Sequence, residues 1–391
     1  MFIIIRKEKA GAVPRTSFVL LFWIFSTILR AQNSADEKLV LENAGTLSSQ
    51  FISGQVVRML EGNVRFRQGS MTLTCDRAVQ YTREQRTVFR NRVRIQDGEK
   101  TLTAQQVTYL ARDEVYRAEG NVVYRDGPTT LRADQLTYFR EDRKVVAHGN
   151  VEVVQEDERL VLTAGHGEYF RDEDYIRVTR EPVLVQLDSF GREDTRITGR
   201  MMESFDGGRR LRITGEVNIF HQETRAQCDL AEYYRDEEKF VLLKNPVAWQ
   251  ENNELRGDTI ELYFQNRKVR EVHVLARAIA TSPPDSAAGA GQPNVLKGQK
   301  IVFYLRNEKV YKIVVEGTAT SIYNMIEDGR FQGINWVQGD RITLYVENNT
   351  VRRALIESDP GQSTGKFLPP GVAADSSMMN IAEPRNQESG E

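Results

Sequence analysis

His148, His166, His221 and His273 are the histidines of this 391-residue chain, and Cys75 and Cys228 are its cysteines. A zinc site of the H-E-x-x-H kind needs two histidines one helical turn apart, with a carboxylate between them. No two of the four stand at such a spacing, so each reads as a strand or turn residue. Asp76, Asp134, Asp229, Asp258 and Asp340 recur at equivalent places, as a carboxylate ladder for calcium or for glycosidic cleavage would. Gln105, Gly165, Arg200 and Gln299 hold the same place elsewhere, which points to a structural role at a turn or strand start. There is no G-x-S-x-G elbow, Walker loop or dinucleotide fingerprint. No catalytic residue, metal site or cofactor is expected, and the chain reads as a non-enzyme. An enzyme acting on polysaccharide is the weakest reading, because no acid pair stands out in one place.

The aspartates are the visible part of a repeat, and repeats decide the architecture before anything else. Aligned on a polar residue four before an aromatic or apolar one, the anchors are Asp76/Gln80, Gln105/Tyr109, Asp134/Tyr138, Gly165/Tyr169, Arg200/Ser204, Asp229/Tyr233, Asp258/Leu262, Gln299/Phe303 and Asp340/Leu344. Their spacings are 29, 29, 31, 35, 29, 29, 41 and 41 residues. A second mark follows each early anchor: "NRV" at Asn91, "GNV" at Gly120 and Gly149, "EPV" at Glu181, "GEV" at Gly215 and "NPV" at Asn245, with an unpaired "GNV" at Gly62. Between the marks lie charged clusters such as "ARDE" and "REDR", and after the second mark come Asp97-Gly98 and Asp126-Gly127. Such residues tolerate the left-handed backbone of tight hairpin turns. Each unit is therefore expected to be two strands of about ten residues.

The strand after the second mark alternates. Val64 and Phe66, Val93 and Ile95, Val122 and Tyr124, Val151 and Val153, Val183 and Val185, Val217 and Ile219, and Val247 and Trp249 share one face, with polar residues such as Arg65, Arg94 and Glu152 between them. That period predicts half-buried strands, apolar inside and charged outside. Stacking such units predicts an elongated all-β body. Cys75 and Cys228 occupy equivalent positions, five units apart. At one 4.8 Å rung or more per unit they stand about 24 Å apart, beyond the limit of about 7 Å between bridged Cα atoms. Their counterparts are Ala104, Ala133, Ala164, Gly257, Gly298 and Gly339, so both thiols are expected to be buried, inward and unpaired.

Composition fits an exported, soluble body. Apolar residues make up 40% and charged residues 28%, with a net charge of −2, which lacks the basic excess a nucleic-acid binder uses against phosphate. Residues 1–31 hold Arg6, Lys7, Lys9 and Arg15 before "FVLLFWIFSTIL" and end on Ala31, the form of a signal peptide. An uncleaved N-terminal anchor is the alternative. Residues 32–280 are expected to form the main β body, 281–294 a flexible insert rich in Pro, Gly and Ala, 295–358 further β units, and 359–391 a disordered tail.

The order "GNVRFRQGSMTLTCDRAVQY", "FRNRVRIQDG" and "LRADQLTYFREDRKVVAHGNVEVV" resembles the organic-solvent-tolerance (OstA-like) N-terminal family. That family includes the periplasmic bridge protein of lipopolysaccharide transport and the periplasmic part of the outer-membrane assembly protein. The resemblance is clear over residues 55–190, recurs from about 196 to 280, and is weaker over 295–357. It implies an elongated β-jellyroll, two sheets facing each other like an open taco. It further implies an apolar interior for the acyl chains of lipopolysaccharide or a similar glycolipid, a periplasmic location, and joining to other transport components or to itself, head to tail, through terminal edge strands. On this reading the lining candidates are Phe66, Ile95, Tyr124, Val153, Val185, Ile219 and Trp249. The rival readings are an inner-membrane-anchored partner of the bridge protein and a ligand-free β-repeat scaffold.

Overall fold

A computed structural model of the protein describes residues 38–265, 268–284, 292–307, 309–347 and 350–372. These residues form 26 β-strands and one short 3-10 turn at Asp206–Gly208, with antiparallel pairing throughout the strand pairs named below. No described helix is long and apolar enough to cross a membrane, which says nothing of a β-barrel. The chain divides into two compact units: one takes the described residues up to Lys244 together with 263–265 and 268, the other Asn245–Leu262 and the described residues from Val269 onward.

The repeat becomes structure through a corner in alternate strands. In β3 (Gln55–Gln68), Gly62 and Asn63 have φ of 80° and 47°. β1 (Val40–Asn43) and β2 (Thr46–Ile52) pair with the two halves of β3 on either side of that corner. β4 (Met71–Tyr81) follows β3, and its register jumps between Glu61 and Val64. In β5 (Arg86–Asp97) the pair is Asn91 and Arg92, at 64° and 51°. Two successive left-handed residues leave one strand longer than its partner, and a bulged strand bends. The same doublet stands at Gly120–Asn121, Gly149–Asn150, Arg180–Glu181, Gly215–Glu216, Lys244–Asn245, Ala276–Arg277 and Gly317–Thr318. The expected unit of two strands is present, and the corner adds that each bent strand contributes one arm to each of two facing walls.

The anchor residues explain why glycine favours these corners. A Cβ on Gly120 would lie 2.6 Å from Gln105 Oε1, and one on Gly149 would strike Asp134. At these corners the anchor side chain fills the inside of the turn, and glycine leaves it room. The fourth unit exchanges the two sizes: the corner carries Arg180 and the anchor is Gly165, where a Cβ would lie 2.7 Å from Arg180 Cβ. Where the anchor is Asp76 it pairs with Arg92, the second corner residue, at 2.7 Å, and Asp134 accepts from Asn150 Nδ2 at 2.9 Å. The aspartates therefore do structural work at the corners.

Three boundaries differ from expectation. The strand Lys268–Ser282 runs into the expected insert and Asn294 opens the next strand, so the described part of the insert is shorter; residues 285–291 lie outside the described residues. The tail expected from 359 contains a strand, Thr364–Leu368, whose Phe367 pairs with Asn335, while 373–391 lie outside the described residues. The segment 1–31 also lies outside them. Substituting Gly149 with alanine is expected to destabilise the protein by about 1–3 kcal/mol, because it adds left-handed strain to the clash with Asp134. Thermal unfolding of Gly149→Ala, and of Gly149→Ala with Asp134→Gly, should show the loss and its partial relief.

Candidate functional site

Within the first unit the strand registers align one side-chain row across successive post-corner arms. It runs Phe66, Leu73, Ile95, Leu102, Tyr124, Leu131, Val153, Leu162, Leu184, Ile197, Ile219 and Ala226, each the register partner of the next. Phe66, Leu73, Val153, Leu162, Leu184 and Ile197 are at most 2% exposed. A second row crosses the pre-corner arms: Leu60, Ala78, Phe89, Val107, Ala118, Leu136, Ala147, Gly167, Val178, Met202, Ile213, Ala231 and Leu242. The two rows face each other, since the rings of Phe66 and Phe89 meet edge to face at 5.3 Å. Farther out, Tyr116 Oη donates to Gln68 Oε1 across the interior at 2.5 Å. Burial pushes the Tyr116 and Tyr124 phenols well above their usual range, so both remain neutral donors at physiological pH.

The first row is bulky from Phe66 to Ile219, and the second is not. Around Ala118, Leu136, Ala147 and Gly167 the second row is mostly small, and a Cβ added at Gly167 would meet nothing within 4 Å. Its register partners Ala147 and Val178 are 4% and 3% exposed, while Gly167 itself is partly exposed. At Phe66 and Phe89, by contrast, side chains fill the space.

Five of the seven lining candidates, Phe66, Ile95, Tyr124, Val153 and Ile219, fall on the first row, and the other two do not. Val185 pairs with Val161 and Arg196 on the outer face, while Leu184 takes the inner place. Trp249 lies opposite Glu254 and donates from Nε1 to its Oε2 at 2.8 Å. Its neighbour Ala248 pairs with Leu255, which pairs with the fully buried Ala280. The physical reason is the corner. Its left-handed doublets are Arg180–Glu181 and Lys244–Asn245, so Pro182 and Pro246, not Val183 and Val247, hold the place of the "GNV" valine. The missed signal was the anchor spacing: from Gly165 and Asp229, fifteen residues on stand Arg180 and Lys244. Ala276–Arg277–Ala278 and Gly317–Thr318–Ala319 are corners that sequence reading passed over; both final alanines are fully buried.

The remaining chemistry-bearing residues also find places. Cys75 and Cys228 are free and buried, opposite Val64 and Val217, and burial pushes each thiol up to about 11. His148 and His166, distant in sequence, are register partners with rings 5.8 Å apart, and burial lowers the His166 pKa. Among the described residues no group of three or more His, Cys, Asp or Glu could hold a metal ion.

Residues 36–189 match the OstA-like protein family. This part of the chain is similar to OstA-like proteins. The OstA-like segment holds the first five corners and ends two residues beyond Leu187. A solved structure of LptH from Pseudomonas aeruginosa, described as the LptA homologous periplasmic component of the conserved lipopolysaccharide transport device, aligns at 18% identity over 38% of this chain and 96% of that chain. Its TM-score is 0.29, too low to carry an inference about this chain. A comparison with curated proteins found no match.

Two outcomes test the register. Leu184→Ala is expected to cost about 2–5 kcal/mol and Val185→Ala about 1 kcal/mol or less, because only Leu184 leaves a core cavity; urea unfolding measures both. A thiol reagent at neutral pH should modify neither cysteine in the native protein and both after denaturation, since thiolate is the reactive form.

Proposed function

We propose that the protein is a periplasmic carrier that holds the acyl chains of lipopolysaccharide, or of a similar glycolipid, between its two inner walls on the way to the outer membrane. The observation that carries this reading is the uninterrupted apolar row from Phe66 to Ala226, with unfilled room opposite it at Gly167. The match of residues 36–189 to the OstA-like family agrees with it. Energetics allow it. Burying ten methylenes gains on the order of 8 kcal/mol before ordering costs, whereas parting one aromatic pair such as Phe66–Phe89 forfeits about 1 kcal/mol beyond area. The interior yields where lipid outbids side-chain packing.

Terminal strands supply the joints in this proposal. β1 and β2 have exposed side chains throughout, yet Leu41 and Leu47 pair with the inward Phe66 and Leu60. Leu47 is 59% and Phe51 77% exposed. A partner strand laid along this edge would extend both sheet and apolar rows, whether it comes from another transport component or a second copy. If residues 1–31 stay attached, the same body becomes an anchored partner of the bridge; the intact mass of the exported protein separates the two.

The scaffold reading is favoured by the closed contact between Phe66 and Phe89, and it predicts that no lipid enters. A photo-crosslinker at Val153 or Ile95 should form lipid adducts in cells, and one at the outward Arg94 should not. Gly167→Phe, which fills the open place without left-handed strain, should abolish the Val153 adduct while leaving the melting temperature equal or higher. Equal labelling at Arg94 and Val153, or no adduct at any position, would leave the scaffold reading standing.

A further inference from the structure

Beyond the apolar row on the post-corner arms lies a third inward row, and it is polar. Gln68, Thr129, Gln155, Gln186 and Thr195 are each at most 8% exposed and stand two residues from a member of the apolar row, about 7 Å along the strand. Thr129 is the register partner of Gln155, Gln155 of the apolar Leu160, Leu160 of Gln186, and Gln186 of Thr195, so four of these polar positions lie on one line that Leu160 interrupts. Thr129 Oγ1 donates to Gln155 Oε1 at 2.5 Å, Tyr116 Oη donates to Gln68 Oε1 across the interior, and Thr195 Oγ1 lies 2.8 Å from His221 Nδ1. Lys100 on the same line pairs with Asp126 at 3.3 Å, which neutralises its charge. The second unit repeats the pattern: Ser282 and Asn294 are 2% and 8% exposed and register partners, with Asn294 Nδ2 donating to Ser282 Oγ at 3.2 Å.

A core that only packs two sheets gains nothing from such a line, because a buried polar group must be bonded merely to break even and an apolar pair of the same shape does as well. An amphiphile gives it a use. Where acyl chains lie on the apolar row, the groups that link them to their headgroup come level with the polar one.

We propose that this row is the binding track for the linkage region of the cargo, and that it selects acyl chains attached through neutral amide or ester groups to a hydroxyl-rich sugar over free fatty acids. Amides and hydroxyls both donate and accept, which suits carbonyl and hydroxyl groups. A carboxylate would need an uncompensated cation, and the lysine on the row is already paired with an acid. The inference rests on the carrier reading and goes beyond it by assigning the linkage chemistry.

The test measures binding of an N-acylglucosamine and of the fatty acid of equal chain length to the purified full chain, in the wild type and in Thr129→Val/Gln155→Leu. Replacing both partners leaves no orphaned polar group, so folding should be kept, with thermal unfolding as the check. The wild type should prefer the acylated sugar by about tenfold or more, and the double variant should bind it about fivefold or more weakly while holding the fatty acid unchanged, as the loss of one or two hydrogen bonds implies. Tyr116→Phe/Gln68→Leu, which removes the bond across the interior, should act in the same direction and provides the answer if the first variant unfolds. Undiminished preference for the acylated sugar in a folded variant overturns this inference and leaves the carrier reading intact. Failure of the wild type to bind either ligand overturns both.

Discussion

Everything in this fold depends on a steric fit at the corner, where two left-handed residues turn the strand and one anchor side chain fills the inside of the turn. Without the turn, each strand would run straight into a single flat sheet with one face to bury and nothing to bury it against. With it, one strand serves two walls, and the walls enclose a shared interior. The fit also fixes register. A bulge of defined length at each corner brings Phe66 level with Leu73, and Leu73 level with Ile95, through to Ala226. The exchange of sizes at Gly165 and Arg180 shows that either partner can be the small one.

The all-β architecture was legible because stacked hairpins write the same period into the chain again and again, and because valine, isoleucine and tyrosine alternate with arginine, glutamate and asparagine. Five inward residues followed from that alternation. Val185 and Trp249 did not, because the corner shifts the phase by one residue, and a proline stands in the valine's place. A period-two pattern reports which residues share a face but not where the count restarts. The corner at Ala276 escaped for a related reason: alanine is a permissible left-handed residue only when the surrounding pairing enforces it, so composition gives no hint. The strand at Thr364–Leu368 was hidden by its polar flanks; it forms because Gly333 leaves room for it, a Cβ there lying 2.7 Å from Phe367 Cζ.

The charged skin has its own order. On the outer face of the first unit, Glu168, Arg177, Glu203, Arg212 and Glu232 are successive register partners of alternating sign. Lys144 reaches Glu168 at 2.7 Å, and Arg212 reaches Glu232 at 2.8 Å. Burial alone would raise the Glu168 pKa, yet its bonds to Lys144 and Arg177 outweigh that and hold it below the usual carboxylate value. The carboxylates of these pairs, Glu168 and Glu232, are buried while their cationic partners reach solvent. Their common effect is to fix register from outside: a slip of one strand would place like charges side by side and turn the apolar row outward at once.

A row that is bulky from Phe66 to Ile219 and a row that is small in one stretch behave differently under an intruding chain. Where Phe66 meets Phe89, entry requires moving two large rings. At Ala118, Ala147 and Gly167 there is less to move, and the polar row ends the apolar surface about 7 Å farther along each strand. A body made only to be rigid would favour even packing at every rung, because an unfilled place forfeits dispersion contacts outright. Uneven packing along registers this regular puts the lowest cost of separating the two walls in one stretch, between the corners at Gly120 and Arg180.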